Sequence, residues 1–68
     1  MNGREFIRRV RRYARNTGQT FSIDSRRGRG SHEIVYIGNR RTVVKHSEIG
    51  PGLLASMLKD LEIDRRDF

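Results

Sequence analysis

His32 stands where a basic, glycine-containing stretch, residues 25–31, meets an apolar run that begins after Glu33. Histidine is the side chain best suited to exchange protons near neutral pH, because its ordinary pKa is about 6.5. The chain contains one other histidine, His46, and no cysteine. The chemistry that these residues suggest is acid–base chemistry centred on His32. On composition alone, a strand-edge histidine that makes a backbone hydrogen bond is the favoured alternative.

Other kinds of site have weaker support in the sequence. Two histidines without cysteine are a poor ligand set for a metal ion, so we predict no metal site and no cofactor. The stretch at 25–31 has neither the Gly-x-Gly-x-x-Gly pattern of dinucleotide-binding proteins nor the Walker lysine pattern. For His46, a harmless loop position is the favoured interpretation.

The charge of the chain is strongly polarised. Its formal net charge is +7, and thirteen of the fifteen basic residues are arginine, which favours bidentate contact with phosphate. Residues 1–41 carry a net charge of +8, whereas residues 42–68 carry −1. This asymmetry favours a polyanionic partner such as nucleic acid, or an acidic protein. The alternative is a solvated arginine-rich surface.

The first segment predicts an amphipathic helix. Asn2 and Glu5 have the spacing of a capping box, and Gly18 suits a left-handed C-cap. The expected buried stripe consists of Phe6, Ile7, Val10, Tyr13 and Ala14. On the other side lies what we call the arginine ridge, formed by Arg4, Arg8, Arg11 and Arg15. The ridge is either a solvated surface or a contact for RNA or a partner.

Three strands are predicted next, at residues 19–24, 32–37 and 40–45, with a tight turn at Gly38-Asn39. Both sides of the second strand are apolar, so the pattern does not tell which side meets the core. After a loop at 46–50, Pro51 suits the first turn of a second helix. Its expected apolar stripe consists of Leu53, Leu54, Met57, Leu58 and Leu61. A short turn at 64–67 is expected to carry Phe68 back towards the core.

These elements predict an α+β fold in the order α-β-β-β-α. Two amphipathic helices on one face of a three-stranded antiparallel sheet bury both apolar stripes in the simplest way. At 68 residues, the whole chain, 1–68, is expected to be a single domain. We predict no membrane span and no signal peptide, and the lack of cysteine is consistent with a reducing compartment, so a cytoplasmic protein is expected.

Several motifs resemble one known family. The run Gly30-Ser31-His32-Glu33-Ile34 matches the Gly-Ser-His signature of HicA toxins, the ribonuclease half of bacterial and archaeal HicA–HicB toxin–antitoxin pairs. Residues 52–63 are similar to the second helix of that family, and residues 65–68 to its common C-terminal extension. The resemblance covers nearly the whole chain, in the right order and at the right length. It implies a fold of the double-stranded-RNA-binding-domain type.

The resemblance also implies a function. The family cleaves mRNA with this histidine as its essential residue, so His32 is the predicted catalytic residue of an endoribonuclease that requires no metal. The candidate RNA-binding residues are Arg27, Arg29, Gly30, Ser31 and Lys45. The second proton-transfer group is left open among His46, Lys45, Tyr36 and a loop arginine. The implied partners are mRNA and a HicB-like antitoxin, with which a higher-order hetero-oligomer is possible.

Two other functions stay open. One is a non-catalytic RNA-binding module of the same fold. Modules that bind duplex RNA typically place lysines at the second helix, but that helix has only Lys59 against Asp60 and Glu62, which speaks against duplex binding. The other is a small basic adaptor for an acidic protein, which overlaps with the toxin because a toxin needs an antitoxin.

Overall fold

The computed structural model describes residues 1–25 and 32–68. Over these residues the elements are α1 (Gly3–Thr17), β1 (Phe21–Asp24), β2 (His32–Ile37), β3 (Arg40–Lys45), α2 (Pro51–Leu61) and a 3-10 helix (Arg65–Asp67). Within the described chain, three antiparallel strands form one sheet in the order β1-β2-β3. The predicted α-β-β-β-α fold is confirmed, and it is consistent with the double-stranded-RNA-binding-domain type.

Both ends of α1 are capped as the sequence predicts. The Asn2 side chain accepts a hydrogen bond of 2.9 Å from the backbone N–H of Glu5. At the other end, Gly18 adopts a left-handed conformation with a φ of 70°. Its backbone N–H donates hydrogen bonds to the carbonyl oxygens of Ala14 and Arg15 in the last turn. The residues of the stripe that are fully buried are Phe6, Val10 and Ala14, with Ile7 and Tyr13 packed at the margin. The apolar side of α1 therefore covers the sheet.

The register of the sheet decides which side of β2 meets the helices. Val35 lies opposite Thr42, and both side chains are buried. Since side chains alternate along a strand, Ile37 shares the inner side with Val35, whereas Ile34 and Tyr36 point away from the helices. The ambiguity of the apolar pattern in β2 is thus resolved by the burial of Val35 and Ile37 against the helices.

The predicted apolar stripe of α2 is confirmed except at Leu53. Met57, Leu58 and Leu61 are buried, but the side chain of Leu53 is 51% exposed. Successive residues turn by about 100° around a helix axis, so Leu53 lies about 90° from the middle of the buried stripe. Including Leu53 in the buried stripe was wrong, because a leucine at the edge of the stripe leaves about half of its surface in solvent.

The end of the chain returns to α1. Asp64 caps the 3-10 helix by accepting a hydrogen bond of 2.9 Å from the backbone N–H of Arg66. The guanidinium of Arg66 also donates to this carboxylate, and these hydrogen bonds lower the pKa of Asp64 and raise that of Arg66. Beyond this turn, the ring of Phe68 lies 5.3 Å from the ring of Phe6. The predicted return of Phe68 to the core is confirmed.

Candidate functional site

The sheet has one face under the helices and one face turned away from them, which we call the outer face. Strand alternation and the observed register place the following residues on it: Ser22, Asp24, His32, Ile34, Tyr36, Arg41, Val43 and Lys45. His32 is half-buried at the beginning of β2, the strand between the other two. The residue with the strongest chemical signal in the sequence therefore lies on the outer face.

Lys45 is directly opposite His32 in the β2–β3 register. Side chains opposite each other in an antiparallel pair have Cβ atoms about 4.5–5.5 Å apart, so the ammonium of Lys45 can reach a group bound at the imidazole. Lys45 is exposed, whereas His32 is half-buried. The structure thus brings together two candidate site residues that are thirteen positions apart in the sequence.

The other candidate RNA-binding residues, Arg27, Arg29, Gly30 and Ser31, lie outside the described residues. The loop arginines considered for proton transfer, including Arg26, lie there as well. For all of these residues, the proposed roles stay predictions from the sequence.

His46 is turned to the other side of the sheet. Its Nε2 contacts the Oε1 atom of Glu33, whose side chain is only 18% exposed. Glu33 is opposite the buried Val44, on the inner side, while its neighbour His32 points outward. Tyr36 shares the outer face with His32 but is four residues away, about 13 Å along the strand. Among the described candidates for the second proton-transfer group, Lys45 is therefore the nearest to His32.

Two outer-face residues were not recognised as site residues from the sequence. Asp24 pairs with Ile34, which makes it a diagonal neighbour of His32 at about 7–8 Å between Cα atoms. Arg41 lies directly opposite Tyr36. The alternation of apolar and polar residues in 21–24 already puts Asp24 on the side away from the core. Its proximity to His32, however, depends on the strand pairing.

The arginine ridge lies on a different surface from His32. Its four members are exposed on α1, which packs on the inner face of the sheet, whereas His32 lies on the outer face. One member, Arg11, lies with its guanidinium 5.2 Å from the centroid of the Phe21 ring. Beside the ridge is an open groove of about 520 Å³ lined by Glu5, Arg8, Arg9, Arg12 and Phe68. Arg9 is held there, since its guanidinium donates a hydrogen bond of 2.7 Å to the Phe68 carbonyl and lies over the Phe68 ring. The molecule therefore carries positive charge on two opposite sides.

The described residues form neither a cluster of metal-ligating side chains nor a helix that could span a membrane. In residues 1–25 and 32–68, no group of three or more His, Cys, Asp or Glu side chains is arranged to hold a metal ion. Over the same residues, neither helix combines the length and hydropathy that a membrane crossing requires.

Comparison with known proteins gives one match. The model of a protein family described as the HicA toxin of bacterial toxin–antitoxin systems matches residues 3–63. The match extends from the first residue of α1 to two residues beyond α2 and includes every strand of the described sheet. No curated protein matches the chain significantly, and no solved structure does.

Proposed function

This chain belongs to the HicA toxin family of bacterial toxin–antitoxin systems, and we propose that it acts as an endoribonuclease that cleaves mRNA. In this proposal His32 is the general acid or base. The observation that carries the proposal is the placement of His32 on the outer face with a cation, Lys45, directly across the β2–β3 pair. A proton-exchanging group next to a cation that can bind phosphate supports two contributions to RNA cleavage, proton transfer and stabilisation of the charge on the phosphate.

The RNA supplies the nucleophile in this reaction. The 2′-hydroxyl loses its proton to a base, and its oxygen forms a bond to the adjacent phosphorus. The bond between phosphorus and the 5′-oxygen then breaks as that oxygen takes a proton from an acid, leaving a cyclic phosphate and a 5′-hydroxyl. One imidazole serves as the base or the acid, with an effect on the rate of about 10²–10⁴-fold.

Lys45 is the proposed phosphate-binding partner of His32. Negative charge accumulates on the phosphorus-bound oxygens as the 2′-oxygen attacks, and a fixed ammonium near them stabilises that charge. The same ammonium is a candidate donor of the proton that the leaving oxygen takes. His46 has neither role in the proposal, because its Nε2 is engaged by Glu33 on the inner side.

The partners follow from the family. We propose that a HicB-like antitoxin neutralises the toxin and that the two chains form a hetero-oligomer in the cytoplasm. A chain with a formal net charge of +7 favours an acidic partner, since opposite charges speed association. Co-expression with the antitoxin is expected to restore growth.

The test compares two histidine variants, His32→Ala and His46→Ala. With a chelator present, we expect His32→Ala to cleave an mRNA substrate about 10²–10⁴-fold more slowly than the unaltered protein. His46→Ala is the matched control, and its cleavage rate is expected to stay within a few-fold of the unaltered rate. In cells, only the unaltered protein and His46→Ala are expected to arrest growth.

Two outcomes would contradict the proposal. Undiminished cleavage by His32→Ala would remove His32 from the mechanism. If neither the unaltered protein nor His32→Ala cleaves RNA and both bind it equally, the chain is an RNA-binding module. The exposed arginine ridge, remote from His32, is the feature that favours that second function.

A further inference from the structure

The middle of the outer face is apolar although neither of the described α-helices covers it. Ile34 and Tyr36 of β2 are half-buried there, and Val43 of β3 is 56% exposed. These side chains are separate from the core cluster, which lies between the sheet and the helices. Arg41 and Lys45 are both exposed and lie on the same side of β3 as Val43. An apolar strip with an aromatic ring and two cations thus extends from the His32 site along the sheet.

We infer that this strip binds unpaired RNA, with one base stacked on the Tyr36 ring and with Arg41 and Lys45 at the backbone phosphates. The inference rests on the proposed function and deepens it, because it names the form of RNA that the His32 site accepts. Sheet surfaces with an exposed aromatic ring bind single-stranded RNA by stacking, whereas bases inside a duplex have no free ring face to offer.

The register makes this arrangement specific. Arg41 is directly opposite Tyr36, so its guanidinium can lie beside a base stacked on the ring or reach the phosphate next to it. Lys45 is in the corresponding position opposite His32. Each of the two functional positions of β2 therefore has a cation across from it on β3.

The spacing along β2 assigns different nucleotides to the two positions. His32 and Tyr36 are four residues apart, which is about 13 Å along a strand. A base stacked on Tyr36 therefore belongs to a nucleotide near the cleaved one, not to the cleaved nucleotide itself. Tyr36 is thus assigned to substrate binding, while the proton transfer stays with His32.

The placement of the cations and the small size of the apolar patch favour RNA over a protein as the occupant. Both described cations of the strip lie on one strand in line with His32, as expected for a backbone that passes the cleavage position. The apolar part of the strip consists of three side chains, Ile34, Tyr36 and Val43. A stable protein interface buries about 800 Å² on each partner. A patch of three side chains is therefore better matched to a nucleobase than to a protein.

The experiment measures RNA affinity in a His32→Ala background, so that cleavage does not consume the probe. The probes are a labelled unstructured single-stranded RNA oligonucleotide and the same oligonucleotide annealed to its complement. We expect Tyr36→Ala to weaken binding of the single strand by about 5- to 150-fold, the range for loss of one base–aromatic stack. Tyr36→Phe keeps the ring and is expected to retain the affinity.

Arg41→Ala provides a second measurement that does not depend on the tyrosine. Arg41 is exposed, so its removal is expected to leave the fold intact and to weaken binding of the single strand. Arg15→Ala is the matched control, because it removes the same charge from the arginine ridge on the opposite side of the molecule. We expect its effect on the single strand to be smaller than that of Arg41→Ala.

Two results would overturn the inference. One is a folded Tyr36→Ala variant with unchanged affinity for the single strand, and the other is equal weakening of binding by Arg41→Ala and Arg15→Ala, which is the behaviour of charge alone. In the first case, a simultaneous loss of antitoxin binding by Tyr36→Ala would assign the strip to the protein partner. Cleavage by the unaltered protein is measured separately, so failure of the nuclease proposal is distinguishable from failure of the stacking proposal.

Discussion

Gly3, the first residue of α1, packs against the end of β3 so closely that the contact leaves no room for a side chain. A Cβ atom at Gly3 would lie 2.1 Å from the carbonyl oxygen of Lys45 and 3.0 Å from the Cα atom of His46. Both are backbone atoms, so no rotation of a side chain relieves the overlap. We therefore expect Gly3→Ala to push the beginning of α1 away from β3.

The size of the effect follows from these distances. Ordinary van der Waals contact begins near 3.4 Å, so the two segments must separate by about 1.3 Å. Forcing additional atoms into a packed site costs about 1–3 kcal/mol. The better helix propensity of alanine offsets at most about 1 kcal/mol, and less in the first turn. Since a domain of this length is stabilised by roughly 3–10 kcal/mol, a net loss of 1–2 kcal/mol is a large fraction.

The measurement is urea unfolding followed by circular dichroism, with Gly52→Ala as the matched control. Gly52 also lies in the first turn of a helix, but a Cβ there would meet no atom within 4 Å. Gly52→Ala is therefore expected to leave the free energy of unfolding unchanged or to raise it by up to about 1 kcal/mol. Equal stability of Gly3→Ala and the unaltered protein, or equal losses in both variants, would refute the packing argument.

Two further predictions concern α2 and the last turn. Leu61→Ala is expected to lower the free energy of unfolding by about 2–5 kcal/mol, because Leu61 is fully buried. Leu53→Ala is expected to change it by less than about 0.5 kcal/mol, because Leu53 is largely exposed. Equal losses of the two variants in urea unfolding would contradict this prediction. Arg66→Ala is expected to raise the pKa of the Asp64 carboxyl, observed by NMR titration, because it removes the guanidinium hydrogen bond, which is the larger of the two interactions that lower this pKa. A lowered folded-state pKa stabilises the fold at neutral pH, and this contribution disappears as the pH falls through that pKa, below about pH 4. An unchanged Asp64 titration in Arg66→Ala would contradict the assignment of the lowered pKa to the Arg66 side chain.

Local chemistry alone accounts for most of the secondary structure. Helix α1 begins after Asn2 and ends before Gly18. The Asn2 side chain and the left-handed Gly18 satisfy backbone N–H and carbonyl groups at the helix ends, which have no hydrogen-bond partner within the helix. The turn at Gly38 and the beginning of α2 at Pro51 follow from similar single-residue preferences. The position of His32 at the beginning of an apolar strand was also predictable from the sequence. So was the resemblance of the chain to HicA toxins. These features were predictable because each depends on residues near one another in the chain.

Tertiary pairing decided what the local pattern left open. Both sides of β2 are apolar, and only the burial of the paired residues Val35 and Thr42 shows that Tyr36 points outward, on the same face as His32. The same register puts Lys45 opposite His32, while the contact with Glu33 holds His46 on the inner side. Hydrophobicity drives a side chain out of water but does not choose between two apolar faces of one strand. The helices make that choice by covering one face, and this places His32 and its neighbours on the outer face, away from the core.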